Sequence, residues 1–505
     1  MRSLSLNHIT GFISLPPNLW IKETLMKRVK AVWLSISTAV LGAALISCGS
    51  SSHRNYAYDE ITGNSFNSYT PSETSGVMFQ AFSWDSHNKN KNKTWWNTIA
   101  SNGDEIGETF EYVWFPPVSN SGAGDGNGYL PREWSNYSSA FGNETELKNA
   151  ISAIQPAKPL ADIVINHRVG STSWGDFKLP TLGVVKKQNY LAICSTDEGF
   201  QKEADGMGSV SSSMRGSPDT GDDFDGGRDL DHTNPEVRAG IVDWLKELRS
   251  MGFVGWRYDY VRGYSPKYTG YYNAMADTEF SVGELWVDNN NLVPIWIKNT
   301  GDCIENVTSM PSRAFDFATK NALNNVFGGR NNNNYKELES SLYTTPIANK
   351  SFGSLASSEL LFRKMPAYAV TFVDNHDTGS TQSMHALDRN DLGAAYAFIL
   401  THPGIPCVAW QHYFAGVRDS VCTDKVDSNG KKLHDHIKDL VELRKELDIT
   451  NVSKIEILKS DAKTYAARIT GKKGSIVTTI GSSLYSCPDG YTTKYTGTNF
   501  AIYAK

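Results

Sequence analysis

The chain has 505 residues, 40% hydrophobic and 20% charged, which is apolar material for a large core and, at about 150 residues per domain, for about three domains. Its formal net charge of −5, from 49 Lys and Arg against 54 Asp and Glu, excludes a protein that holds nucleic acid through a basic surplus. Six Cys in this length exclude a disulfide scaffold, while 13 Trp and 23 Tyr suit sugar stacking and a large aromatic core equally well.

The N-terminal region reads as an export and anchoring signal. A basic run, Met26-Lys27-Arg28-Val29-Lys30, precedes an apolar stretch from Ala31 to Ser47, so 26–47 is expected to be a signal peptide and 1–25 an over-called start. Leu45-Ile46-Ser47-Cys48-Gly49 resembles a bacterial lipobox, which makes Cys48 the expected lipidation site and the lipid anchor the only expected link to a membrane. Gly49-Ser50 lacks the Asp that favours inner-membrane retention, so the expected location is the outer membrane, on its cell-surface or periplasmic face. Residues 48–72 are rich in Ser, Asn and Tyr without apolar periodicity, as a tether should be. Most of the remaining Cys194, Cys303, Cys407, Cys422 and Cys487 are expected to be buried thiols.

Strand-length apolar runs then recur eight times, at Gly76–Phe82, Tyr112–Val118, Ala161–Ile165, Gly252–Tyr258, Phe280–Gly283, Ala314–Phe317, Ala369–Val373 and Ile405–Trp410. Helical patterns fall between them. The clearest follows Asn234 and Pro235, with Val237, Ile241, Trp244, Leu245 and Leu248 on one stripe; another runs from Leu433 to Leu447. This alternation predicts a parallel α/β architecture, a (β/α)₈ TIM barrel over 73–448, with an open doubly wound sheet as the alternative. Residues 168–232 are too long and too rich in Gly, Ser and Asp for an ordinary loop, and read as a small inserted domain after the third strand. Residues 449–505 carry short alternating runs and read as a C-terminal antiparallel β domain.

Barrel chemistry sits at the C-terminal ends of the strands. There the third run ends in Asn166-His167, the fourth contains Arg257 and ends in Asp259, the fifth is followed by Glu284, and the seventh by Asp374-Asn375-His376-Asp377. Three acids, two histidines and an arginine would converge at one mouth. The Gly-rich loop Ser121–Gly128 lacks the Gly-Lys-Ser/Thr ending and the Gly-x-Gly-x-x-Gly spacing of phosphate loops, and no His-Glu-x-x-His or paired Cys-x-x-Cys points to zinc.

The segments Ala161–His167, Gly255–Asp259, Val282–Glu284 and Phe372–Asp377 resemble the four signature regions of the α-amylase family of glycoside hydrolases, in its plant-type branch. The likeness extends to Gln80-Ala81-Phe82, Trp114-Phe115-Pro116-Pro117, Gly128-Tyr129-Leu130-Pro131 and Thr401–Cys407. It implies Asp259 as nucleophile, Glu284 as general acid and then base, and Asp377 as a stabiliser of the distorted sugar. A carboxylate nucleophile implies retention, with the two carboxyls about 5–5.5 Å apart. Arg257, on the same strand face as Asp259, would keep it ionised; His167 and His376 would donate to sugar hydroxyls and Tyr129 would stack beneath the ring. Arg262 stands where this family usually has Lys, so its contact with a glucose hydroxyl on the leaving-group side is in question.

The same resemblance implies calcium. The segment Asp219–Asp231 carries Asp at 219, 222, 223, 225, 229 and 231, a density that needs solvent or a hard cation. Carried over, the ligands are Asn166, Asp219, Asp229 and the carbonyls of Asp222 and Gly263, with Asp223 available to a second ion; the metal would pin the insert and so position His167. The expected activity is that of a retaining, endo-acting, monomeric α-amylase on α-1,4-glucans. The alternatives are an α-glucosidase, maltooligosaccharide-forming enzyme or transglycosylase of the same family, or a starch-capturing lipoprotein without catalysis.

Overall fold

A computed structural model describes residues 69–88, 93–122, 126–170, 178–179, 183–184, 190–200, 207, 209–287, 289–328, 351–379 and 386–505. The signal 26–47, Cys48, and all but the last few residues of the tether lie outside the described residues.

Eight parallel strands close into a barrel: β1 (Met78–Gln80), β2 (Tyr112–Phe115), β3 (Lys158–Ile163), β4 (Gly255–Tyr258), β5 (Phe280–Gly283), β6 (Arg313–Phe315), β7 (Ala369–Phe372) and β8 (Ile405–Ala409). Each pairs with its sequence neighbour, and β1 closes the ring on β8 from Met78 opposite Cys407 to Gln80 opposite Ala409. Closure removes the open-sheet alternative. Apart from Lys158, every strand residue is buried, which is why the runs are apolar throughout rather than alternating.

Several runs are longer than their strands for local reasons. Pro116 and Pro117 follow Phe115 and cannot donate to a ladder, so β2 stops before them. Gly252 belongs to the preceding helix, Pro235–Met251, which it caps at φ 114. That helix starts where its sequence predicts, with Asn234 accepting from the Glu236 amide, Pro235 at the first position, and the expected stripe buried.

Between β3 and this helix the chain leaves the barrel and returns. His167–Arg168 pairs antiparallel with Arg228–Asp229, so both ends of the excursion are bonded at the barrel mouth. Inside it, Arg228 pairs with buried Asp197 and with Glu198, and Phe224 stacks on the His167 ring at 3.8 Å.

After the helix Leu433–Glu446 comes an antiparallel sheet of β9 (Lys454–Ser460), β10 (Thr464–Thr470), β11 (Ser475–Gly481), β12 (Thr492–Gly497) and β13 (Phe500–Ala504), in the order β9-β10-β11-β13-β12. Its Ile469, Ile476, Ile480, Phe500 and Ile502 belong to the same buried cluster as the barrel core. Thr478 donates to Thr401 at 2.7 Å and Tyr465 meets His402 at 2.7 Å, so polar groups along that contact are also paired. Arg444, fully buried, donates to the carbonyls of Ser75, Leu400, His402 and Gly404, which lie just before β1 and β8. All five described cysteines are free thiols; Cys194, Cys407 and Cys422 are buried, Cys303 and Cys487 exposed.

Candidate active site

Arg257 is the centre of the mouth. It is 1% exposed on β4, and a buried guanidinium must find acceptors for its rigid fork. It finds three carboxylates: Nη1 donates to Asp259 Oδ1 at 2.7 Å and to Asp162 Oδ1 at 2.9 Å, and Nη2 meets Glu284 Oε2 at 2.9 Å. Asp259 and Glu284, from the ends of neighbouring strands, are thus held side by side on one guanidinium. The Tyr260 amide also donates to Glu284 Oε2, at 3.2 Å. To aim that amide, Tyr260 takes a left-handed conformation, φ 43 and ψ 48, which costs a non-glycine residue about 1–3 kcal/mol.

Burial pushes Glu284 up to about 7, against the pull of Arg257 and with the push of Asp259. Burial also raises Asp259, to about 6, again opposed by Arg257. Glu284 is therefore the member of the pair that holds a proton near neutrality. Two N–H groups occupy its Oε2, which leaves Oε1 to carry that proton. Asp377, brought to the mouth by the loop after β7, lies well above the usual carboxylate range through burial and then the charge of Glu284.

The two histidines are held by the protein itself. His376 Nε2 lies 2.8 Å from the Tyr129 oxygen and 3.4 Å from Asp377 Oδ2, while Nδ1 meets Gln80 Nε2 at 2.8 Å. Tyr129 donates its proton to Asp162 Oδ2 at 2.8 Å, so His376 Nε2–H donates to the phenol oxygen. His167 Nε2 meets the Tyr129 carbonyl at 2.8 Å. Burial holds both histidines below their ordinary value, His167 at about 4, so both stay neutral.

Sequence reasoning missed Asp162, which also accepts from Trp114 Nε1 at 3.0 Å. Its signal was available: a charged residue inside a strand buried on both faces must have a partner. It also missed Trp84, just beyond β1, whose ring lies nearly parallel to Tyr129 and His376 at 6.2 and 6.1 Å. No pattern marks that residue, because it meets them only through the fold.

The implied calcium ligands also converge. Asp219, Asp223 and Asp229 place carboxylate oxygens within 4.8 Å of one another. Asn166 donates to Asp229 Oδ1 at 3.0 Å, and its Oδ1 is so near Gly263 that a Cβ there would lie 2.0 Å away. Asp219 Oδ2 is buried with no hydrogen-bond partner, and burial pushes that carboxyl up to about 7. Oxygen donors, an orphaned buried oxygen and mutual repulsion fit a hard cation. Asp223 joins the cluster itself. The Asp222 side chain is turned to Arg262, whose guanidinium its carboxylate takes, and its amide donates to the Arg262 carbonyl at 3.0 Å; the ligand implied at this residue is its own carbonyl. Arg262 is thus on an acid of the insert.

Compared with known proteins, the chain is 32% identical over 449 residues to probable alpha-amylase 2 of Arabidopsis thaliana, covering 85% of this chain and 94% of that one. The chain belongs to the α-amylase family. Another relative is the glucan 1,4-alpha-maltotetraohydrolase of Stutzerimonas stutzeri, 27% identical over 81% of this chain and 68% of that protein. Among solved structures, the α-amylase of Geobacillus thermoleovorans in complex with acarbose shares the fold, with TM-score 0.59 and 17% identity over 85% of this chain and 98% of that one. No protein-family model matches the sequence.

Proposed function

We propose that this family member is a retaining, endo-acting α-amylase that hydrolyses internal α-1,4-glucosidic bonds of starch, glycogen and maltodextrins. The observation that carries this is one buried guanidinium holding Asp259 and Glu284 beside each other, with Asp377 at the same mouth. Arg257 occupies Asp259 Oδ1, which frees Oδ2 to attack the anomeric carbon. As the glycosidic C–O bond breaks, the Glu284 Oε1 proton passes to the leaving oxygen. The sugar is then an ester on Asp259, and Glu284, now ionised, takes a proton from the water that displaces it. Asp377 accepts from hydroxyls of the flattened ring, and Tyr129 presents its face to it while its hydroxyl stays on Asp162.

Asn166, Asp219, Asp229 and the carbonyls of Asp222 and Gly263 would hold a calcium ion, with Asp223 close by. Its contribution is charge balance and the fastening of the insert beside His167. The N-terminal sequence supports export and lipid anchoring at Cys48 to the outer membrane of a bacterium; Cys48→Ser should release the protein from the membrane fraction, and the enzyme is proposed to act as a monomer.

Similarity to maltotetraohydrolases favours a second reading, a maltooligosaccharide-forming enzyme. Chromatography of timed starch digests separates them. Early mixed-length maltodextrins are expected; one product length from the first time point supports the second reading. Glu284→Gln should lower starch hydrolysis by about 10³-fold, and unimpaired hydrolysis would remove Glu284 as the acid.

A further inference from the structure

We propose that Arg262 is a positioning residue: it ties the segment that carries Glu284 to the insert, and so governs proton delivery to the leaving group instead of binding sugar. Arg262 lies in the single turn Val261–Gly263 after the nucleophile strand. Its Nε donates to Asp222 Oδ2 at 2.6 Å and its Nη2 pairs with the same carboxylate. The other arm, Nη1, donates to the Trp286 carbonyl at 3.2 Å, two residues beyond Glu284. One fork therefore links three segments: its own turn, the acidic insert, and the stretch after β5.

That stretch is also held by its barrel neighbours: Arg257 and the Tyr260 amide hold the Glu284 carboxylate, the Val261 amide donates to the Glu284 carbonyl at 3.3 Å, and Leu285 is buried in the core, while the Arg262 fork joins it to the insert. The Glu284 amide donates to the Tyr258 carbonyl at 3.0 Å, and the Trp286 ring stacks on Phe317 at 5.2 Å. The Arg262 and Asp222 side chains are only 14% and 19% exposed, so the pair is well shielded from solvent. Both donors end on one ionised oxygen, Oδ2, and a charge-assisted hydrogen bond is roughly twice as strong as a neutral one, so a sugar hydroxyl would compete poorly for this guanidinium. Lys has no second arm and could not hold the carboxylate and the carbonyl in the same fixed geometry. The Arg thus makes a brace of a position where a flexible ammonium would serve as a mobile donor.

The consequence falls on one proton. Moving Glu284 by a fraction of an ångström leaves Asp259 on its own strand but misaligns Oε1 with the glycosidic oxygen. Bond cleavage that needs protonation then suffers, and cleavage that does not need it is spared. This rests on the reading of Glu284 as general acid.

The test uses aryl α-maltotriosides with leaving groups from dinitrophenol, which departs without a proton, to phenol, which needs one. For Arg262→Met, kcat on the phenyl substrate and on starch should fall about 30-fold, with less than about a threefold fall on the dinitrophenyl substrate and KM within about twofold. Asp222→Asn, which keeps its backbone carbonyl, should show the same pattern more weakly, and Arg262→Lys should recover part of the loss. A rise in KM for long glucans without leaving-group dependence would make Arg262 a sugar contact and overturn the proposal. An equal fall across the series would reduce it to a general structural role and overturn it too. Glu284→Gln is the control: if that variant shows no selective loss on the phenyl substrate, the acid assignment itself fails and takes this proposal with it.

Discussion

The barrel mouth and the insert both crowd carboxylates into buried space, but they neutralise them differently. At the mouth, Asp162, Asp259 and Glu284 share one fully buried guanidinium, and the surplus is met by protons, with Glu284 pushed up to about 7 and Asp259 to about 6. In the insert, Arg228 and Arg262 take Asp197, Glu198 and Asp222, yet Asp219 keeps an oxygen with no partner and faces Asp223 and Asp229. The first arrangement is complete with protein groups and a mobile proton, which is what acid–base chemistry needs. In the second, three carboxylates face one another around that unpartnered oxygen. A site that does chemistry keeps its charge adjustable, whereas a site that holds structure can leave its charge to a bound ion.

The comparison breaks most visibly at Arg257. Arg257→Met leaves buried carboxylates without their cation and should cost about 3–5 kcal/mol of stability as well as nearly all activity, measured by denaturant unfolding and starch assay. Wild-type stability would mean that protons alone can balance the mouth. Exhaustive chelation should lower Tm by about 5 °C or more, restored by calcium, and the restoration should be blunted in Asp219→Asn. An unchanged Tm and activity would show that the insert, too, is complete without an ion. Tyr129→Phe removes the hydroxyl between Asp162 and His376 and should lower kcat/KM about tenfold while Tm moves little. The gentlest probe is pH. Activity needs Asp259 ionised and Glu284 protonated, so kcat/KM should fall as pH drops through about 6 and again as it rises through about 7. A profile flat across that range would dissociate the mouth from proton balance.

Much of this was legible in order along the chain. Strands buried on both faces are apolar without interruption, so the barrel announced itself eight times, and the acids fell at strand ends where their polarity contrasts with the runs before them. Contacts between residues far apart were harder to read. Asp162 is the register partner of Arg257 on the neighbouring strand, Trp84 after β1 meets His376 after β7, and Asp222 meets Arg262 from the insert, and no local pattern encodes such partners. Asp162 is instructive because its misfit inside an apolar strand was visible, although the guanidinium that satisfies it was not. The exposed thiols of Cys303 and Cys487 were similarly unreadable, since exposure depends on what packs over them.

Arg444 has a bearing on how the molecule comes into being. Its guanidinium donates to the Ser75 carbonyl, 369 positions earlier, and to the Gly404 carbonyl at the foot of the last strand. The seam where β1 meets β8 therefore lacks its fastener until the helix Leu433–Glu446 has been made. Loop closure over such a span is slow, so the first strand waits unpaired on one side while almost the whole barrel is synthesised. For a chain that we propose is exported, such late closure would leave the barrel open for most of its synthesis.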